Sequence, residues 1–141
     1  MRKIPTAVDV FGVPSEDDEQ MMVMRWAAHM MGRWPDLKWL YHIPNGGKRG
    51  KVEAARFKAM GVKAGVPDLC LPVARGGYHG LYIEMKRRVG GRLTQDQKDW
   101  ADGLHANGYC VCRCDGWNEA VAVLEGYLRG NARKETTDEP V

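Results

Sequence analysis

The chain reads as a single α/β domain, a mixed central β-sheet flanked by helices, and three observations predict it. At 141 residues with a hydrophobic fraction of 44%, it can bury one substantial core but not two comfortable ones. Short apolar runs of strand length, at 39–43, 68–71, 80–86 and 109–114, alternate with longer amphipathic segments of helical spacing. Glycine and proline clusters punctuate the joins. The resulting order is α-β-α-β-β-α-β-α.

Each element has a local cause. Residues 1–14 carry Pro5, Gly12 and Pro14 and are expected to wrap the surface or fray as an N-terminal extension. Ser15 can cap a helix whose opening, Glu16-Asp17-Asp18-Glu19, complements the helix dipole. That helix continues through Met21, Met22, Val23, Met24, Trp26, Ala27, Ala28, Met30 and Met31, and so many apolar positions predict burial on more than one side. Gly32 and Pro35 end it. Residues 39–43 read as a strand stopped by Pro44-Asn45-Gly46-Gly47. A helix over 48–60 is expected to turn Val52, Ala55, Ala59 and Met60 inward, with Gly61 closing it.

A Gly65-Val66-Pro67 turn leads into the strand that begins at Asp68, and Arg75-Gly76-Gly77-Tyr78 makes a hairpin-like link to strand 80–86. Gly90-Gly91 follows, and Thr94 can cap a helix running to Ala106. Asn107-Gly108 closes that helix before a strand over 109–114. The last helix spans 117–128, with Ala120, Val121, Val123, Leu124 and Leu128 inward. The domain thus covers 15–129. Residues 130–141 are polar and aperiodic and read as a disordered tail.

Composition narrows the function. No apolar run of signal-peptide length opens the chain, and none approaches the roughly 20 residues of a membrane span, so a cytoplasmic protein that is not secreted is expected. Cys110, Cys112 and Cys114 alternate onto one strand face, as buried thiols in a reducing compartment would, without the paired spacing of a zinc site. The net charge of +3 is unevenly spread. Lys48, Arg49, Lys51, Arg56, Lys58 and Lys63 face only Glu53 within 48–63, and Arg75, Lys86, Arg87, Arg88 and Arg92 face only Glu84 within 75–92. Two basic clusters of this kind suggest a polyanionic partner. No aromatic platform for unpaired bases is apparent, and packing is expected of Trp34, Tyr78 and Trp117.

The chemistry concentrates at Glu84-Met85-Lys86, which follows Pro67-Asp68 one hairpin earlier. On a strand, alternate residues share a face, so Glu84 and Lys86 project together. Asp68 and Glu84 can supply two carboxylate oxygens to Mg²⁺ or Mn²⁺, and Met85 a backbone carbonyl. Lys86 can orient or deprotonate an attacking water and touch a phosphate. Taken alone, Glu-x-Lys on a strand more commonly marks an ion pair.

Together, Gly65-Val66-Pro67-Asp68-Leu69 and Tyr82-Ile83-Glu84-Met85-Lys86 resemble the PD-(D/E)xK nuclease superfamily. More narrowly, the chain resembles the VRR-NUC family, the virus-type replication and repair nuclease domain also found in the Fanconi-anaemia-associated nuclease. The likeness extends to Glu16 and Gln20, to His42-Ile43-Pro44-Asn45-Gly46-Gly47, to Leu93-Thr94-Gln95-Asp96-Gln97, to Gly108-Tyr109-Cys110-Val111 and to Tyr127-Leu128. It implies a restriction-endonuclease-like core in which Asp68, Glu84 and Glu16 attend the metal. Lys86 is then the catalytic lysine and Gln97 positions it, the water or the phosphate.

The resemblance also implies a Mg²⁺- or Mn²⁺-dependent DNA endonuclease of a bacterial or phage-infected cell, acting on branched, Holliday-junction-like DNA as a homodimer. His42, Asn45, Lys48 and Arg49 are the expected phosphate contacts, joined by Lys51, Lys58, Lys63, Arg87 and Arg88 of the basic clusters. Two alternatives stay open at this stage: a nucleic-acid-binding module of the same fold that does not cut, and an RNA-directed nuclease.

Overall fold

Leu81, Ile83 and Met85 alternate with Tyr82, Glu84 and Lys86, and all but Tyr82 are buried. A strand buried on both faces needs neighbours at both edges and cover above and below. The computed structural model, which describes residues 2–45 and 50–135, supplies both. Its sheet has four strands, β1 (Tyr41–His42), β2 (Leu69–Leu71), β3 (Leu81–Lys86) and β4 (Cys110–Asp115), side by side in that order. β1 pairs antiparallel with β2, and β2 with β3, with Leu69 opposite Ile83 and Leu71 opposite Leu81. β4 runs parallel to β3 with Leu81 opposite Cys110 and Glu84 opposite Arg113. A parallel pair requires a crossover, and helix α4 (Gln95–Ala106) provides it. The sheet is therefore mixed, as expected.

The helices are α1 (Ala7–Phe11), α2 (Glu16–Met30), α3 (Lys51–Ala59), α4 and α5 (Trp117–Leu128). α2 and α5 cover one face of the sheet. Val23 and Ala27 of α2 and Ala120, Leu124, Tyr127 and Leu128 of α5 pack there with Leu69, Leu71, Leu81, Ile83, Met85, Cys110 and Cys114. The cysteine alternation thus reflects core packing, and all four cysteines are free. Tyr127 donates its hydroxyl hydrogen to the Val73 carbonyl, so a buried polar group is satisfied. The opposite face carries Tyr82 and Glu84 and is covered by α4.

Several local expectations change. Residues 7–11 form a short exposed helix where turn signals suggested none, because Thr6 and Asp9 make a reciprocal capping box. α2 buries only Glu19, Val23 and Ala27, while Met21, Met22 and Met31 are exposed. One stripe at i, i+4, i+8 suffices to meet α5 and the sheet, so the methionines outside it reach solvent. The strand expected over 39–43 shrinks to Tyr41–His42, since Pro35 starts a 3-10 turn that runs to Trp39.

α3 buries none of its residues: Val52 is 87% and Met60 69% exposed. Its apolar side was expected inward, but α3 does not lie on the sheet. The helix begins at Lys51, and Lys48 and Arg49 fall outside the described residues. Gly76 and Gly77, both at positive φ, make the two-residue turn in which Arg75 and Tyr78 exchange backbone hydrogen bonds. Residues 130–135 are not a free tail, since the Lys134 amide donates to the Gly76 carbonyl at 2.8 Å.

Candidate active site

Glu84 and Lys86 lie on the sheet face away from the main apolar core, yet each is only 5% exposed. Lys86 Nζ stands 3.7 Å from Glu84 Oε1. Gly91 passes closely over the lysine, where a Cβ would come within 3.0 Å of the Lys86 Cβ. Asp68 enters from the neighbouring strand, one position before Leu69, which pairs with Ile83. Its Oδ2 accepts the Met85 amide hydrogen at 2.7 Å. The Asp68 carbonyl in turn accepts from the Ile43 amide at 2.8 Å and lies 2.8 Å from His42 Nδ1. Carbonyl oxygen only accepts, so His42 carries its proton on Nδ1. Asp68 is thereby fixed at both its backbone and its side chain.

Gln97 is oriented just as strictly. Thr94 Oγ1 accepts the Gln97 amide at 3.2 Å, and Gln97 Oε1 accepts the Thr94 amide at 2.9 Å, a capping box at the start of α4. With its oxygen committed to a pure donor, the side chain turns its NH₂ to Glu84 Oε1 at 3.0 Å. Gly65 brings α4 this close. Its φ is +90°, and a Cβ there would sit 2.6 Å from the Asp96 backbone.

Glu84 Oε2 is buried without a hydrogen-bond partner. Burial, then the neighbouring Asp68 carboxylate, push the Glu84 carboxyl up to about 8, against the pull of Lys86. Burial likewise raises Asp68, opposed by its bond to the Met85 amide. Two carboxylates that resist joint ionisation, one with an orphaned buried oxygen, make a pair of hard oxygen donors suited to a divalent cation. Glu16, the first residue of α2, is near enough for its charge to raise Glu84 further. It is not gathered with the pair, since among the described residues no three His, Cys, Asp or Glu side chains cluster as a metal-binding group. Glu16 instead lines a shallow depression with Arg87.

Glu19, three residues on, has a different task. It is 1% exposed and accepts from Arg88 Nε and from the Trp117 amide, each at 2.6 Å. It therefore ties α2 to the segment after β3 and to the start of α5, and it occupies Arg88. No signal in the sequence could have found this, because the partners lie 69 and 98 residues away.

The basic clusters divide in the same manner. Arg75 pairs with Asp36 at 2.6 Å, while Lys51, Lys58, Lys63 and Arg87 are exposed. Asn45 donates Nδ2 to the Val66 carbonyl at 2.7 Å, which holds the loop after β1 against the turn before Asp68. Trp34, Tyr78 and Trp117 pack against the core as expected. Trp100, unremarked in the sequence, lines a groove with Asn45, Lys58 and Lys63.

No curated protein sequence matches the chain. A solved structure described as a VRR_NUC domain protein superposes with a TM-score of 0.69 at 34% identity, covering 83% of this chain and 90% of that one. The VRR-NUC domain matches residues 15–118, a stretch that contains Glu16, Asp68, Glu84, Lys86 and Gln97. The chain belongs to the VRR-NUC family of nuclease-type domains.

Proposed function

We propose that the chain is a Mg²⁺- or Mn²⁺-dependent endodeoxyribonuclease that hydrolyses phosphodiester bonds in branched DNA and works as a homodimer. The observation that carries this reading is the Asp68–Glu84 pair, in which Glu84 Oε2 is buried and unpartnered while Oε1 stands 3.7 Å from Lys86 Nζ. Asp68 and Glu84 are the side chains that would hold the cation, with the Met85 carbonyl and Glu16 as further candidates. When bound, such a cation neutralises charge that builds on the phosphate oxygens during hydrolysis.

The rest of the work falls to the chain itself. Gln97 fixes the Glu84 carboxylate by donating to Oε1, which leaves Oε2 buried and without a hydrogen-bond partner. The Met85 amide and His42 hold Asp68. Lys86, shielded by the segment at Gly91, directs its ammonium toward the same place, where it binds the scissile phosphate and orients the attacking water. Lys51, Lys58, Lys63 and Arg87 supply phosphate contacts around the site.

The reading is tested by incubating supercoiled plasmid and labelled four-way, flap and linear DNAs, with an RNA control, in Mg²⁺, Mn²⁺ or EDTA. Wild type is expected to nick with either metal and Lys86→Ala is not. DNA binding without nicking under any metal would leave a binding module, and cleavage confined to RNA would reassign the substrate. A thermal melt supplies a readout besides activity: Mn²⁺ should stabilise wild type and leave Glu84→Gln unmoved. Sedimentation tests the dimer, and a monomer with full junction cleavage removes it.

A further inference from the structure

α4 separates two cavities. Gln97 and Ala101 face the cleft that holds Glu84. Asp96 and Trp100, on the adjacent face of the helix, line a groove of about 580 Å³ whose far wall is α3 and the segment after it. That volume lies within the range of small-molecule clefts. Phe57, Lys58, Lys63 and Asn45 complete its main contacts.

We propose that this groove is a subsite for one unpaired nucleotide of the DNA strand entering the site, with its base stacked on Trp100 and its phosphates at Lys58 and Lys63. The assignment rests on the nucleic-acid part of the function proposed above and adds a substrate requirement to it. Four features carry it. Trp100 is half-buried but stands outside the apolar cluster beneath α2 and α5, so that core does not account for its indole. Among the described residues, two lysines against the carboxylate of Asp96 give the groove the charge that suits an anionic ligand.

The groove also adjoins the catalytic cluster. Trp100 lies three residues beyond Gln97, about 4.5 Å along the helix axis, and Asn45 is bonded to the turn that delivers Pro67 and Asp68. A nucleotide neighbouring the scissile phosphate therefore reaches it. Finally, a base within continuous duplex has both faces covered by its neighbours, so an indole can stack only on a base outside the helix. The ligand is consequently a single-stranded segment next to a duplex.

The test compares a blunt duplex with the same duplex bearing a single-stranded overhang, bound in EDTA so that neither is cut. Wild type should prefer the overhang, and Trp100→Ala should lose about fivefold to a hundredfold more affinity for it than for the blunt duplex. Trp100→Phe, which keeps a stacking face and guards against misfolding, should retain most of the preference. A 2-aminopurine in the overhang should be quenched by wild type and not by Trp100→Ala. A folded Trp100→Ala protein with undiminished preference and quenching would overturn the subsite. So would a Trp100→Ala protein that loses its dimer while keeping the preference, which would assign the groove to subunit contact. A Trp100-dependent preference in a protein that nicks under no metal would uphold the subsite and remove the nuclease reading, so the two fail separately.

Discussion

The two faces of β3 are built from alternate residues of one strand, and they obey opposite rules. On one, Leu81, Ile83 and Met85 meet α2 and α5 in a packed apolar layer, at 1% exposure or less. On the other, Glu84 and Lys86 are nearly as buried, yet Glu84 Oε2 is left without a partner and its carboxyl is pushed up to about 8. The first face spends its burial on stability. The second holds charges in a place where they are uncomfortable, and that discomfort is what a cation and a phosphate would relieve. The cover differs too. α5 buries Ala120, Leu124, Tyr127 and Leu128, whereas α4 buries no residue fully and touches the site through Gln97. A rigid layer thus backs a thinly covered one.

Four substitutions probe that contrast, taken from the largest effect down. Lys86→Ala should reduce cleavage by a thousandfold or more, on the order of 4 kcal/mol of transition-state stabilisation, while the protein still melts cooperatively. A variant that cuts within tenfold of wild type would place the chemistry elsewhere. Ile83→Ala, on the other side of the same strand, should do the reverse. It should cost roughly 2–5 kcal/mol of stability in urea and leave cleavage by the folded fraction unchanged at low temperature. If both variants lose activity and stability alike, the two faces are not separable.

The third probe uses pH on metal-free protein. Because the Glu84 carboxyl is raised from 4.5 to about 8, the folded state holds its proton more tightly than the unfolded state does. Its contribution to stability is full below about 4.5 and is lost as pH rises through about 8. Glu84→Gln should accordingly melt higher than wild type at pH 8.5, with the gap closing toward pH 4.5. A gap that stays constant with pH would contradict the raised carboxyl. The smallest effect belongs to Gln97→Ala. Loss of one hydrogen bond to Glu84 should lower cleavage about tenfold, with a Thr94→Ala control, which removes the cap but not the amide, costing about 1 kcal/mol of stability.

Much of this was legible locally. The alternation over 81–86 identifies the strand and its two faces. Thr94 with Gln97 announces the cap of α4, and the glycines at 76 and 77 announce the turn. The motif residues Asp68, Glu84, Lys86 and Gln97 come together because β2 pairs antiparallel with β3, Leu69 opposite Ile83, and α4 follows at once. Other readings failed for a common reason. Met21 and Met22 of α2 and the apolar side of α3 look like core in sequence, but whether a helical stripe is buried depends on which surface it meets. Glu16 and Glu19 are both acidic residues of one helical opening, and nothing between them tells which lines the depression with Arg87 and which clamps Arg88 and Trp117.

The sequence by itself determined the order of elements from α2 onward, the caps of α2 and α4, the turns and the identity of the charged pair on β3. Each follows from contacts within a few residues, where propensity and periodicity act directly. Tertiary structure alone decided which face of the sheet became the core, which basic residues stand exposed to solvent, and that Trp100 borders a groove instead of filling a core. Those outcomes turn on groups brought together from distant parts of the chain. Glu84-Met85-Lys86 is readable in either view, but only the fold leaves Glu84 Oε2 buried and unpartnered.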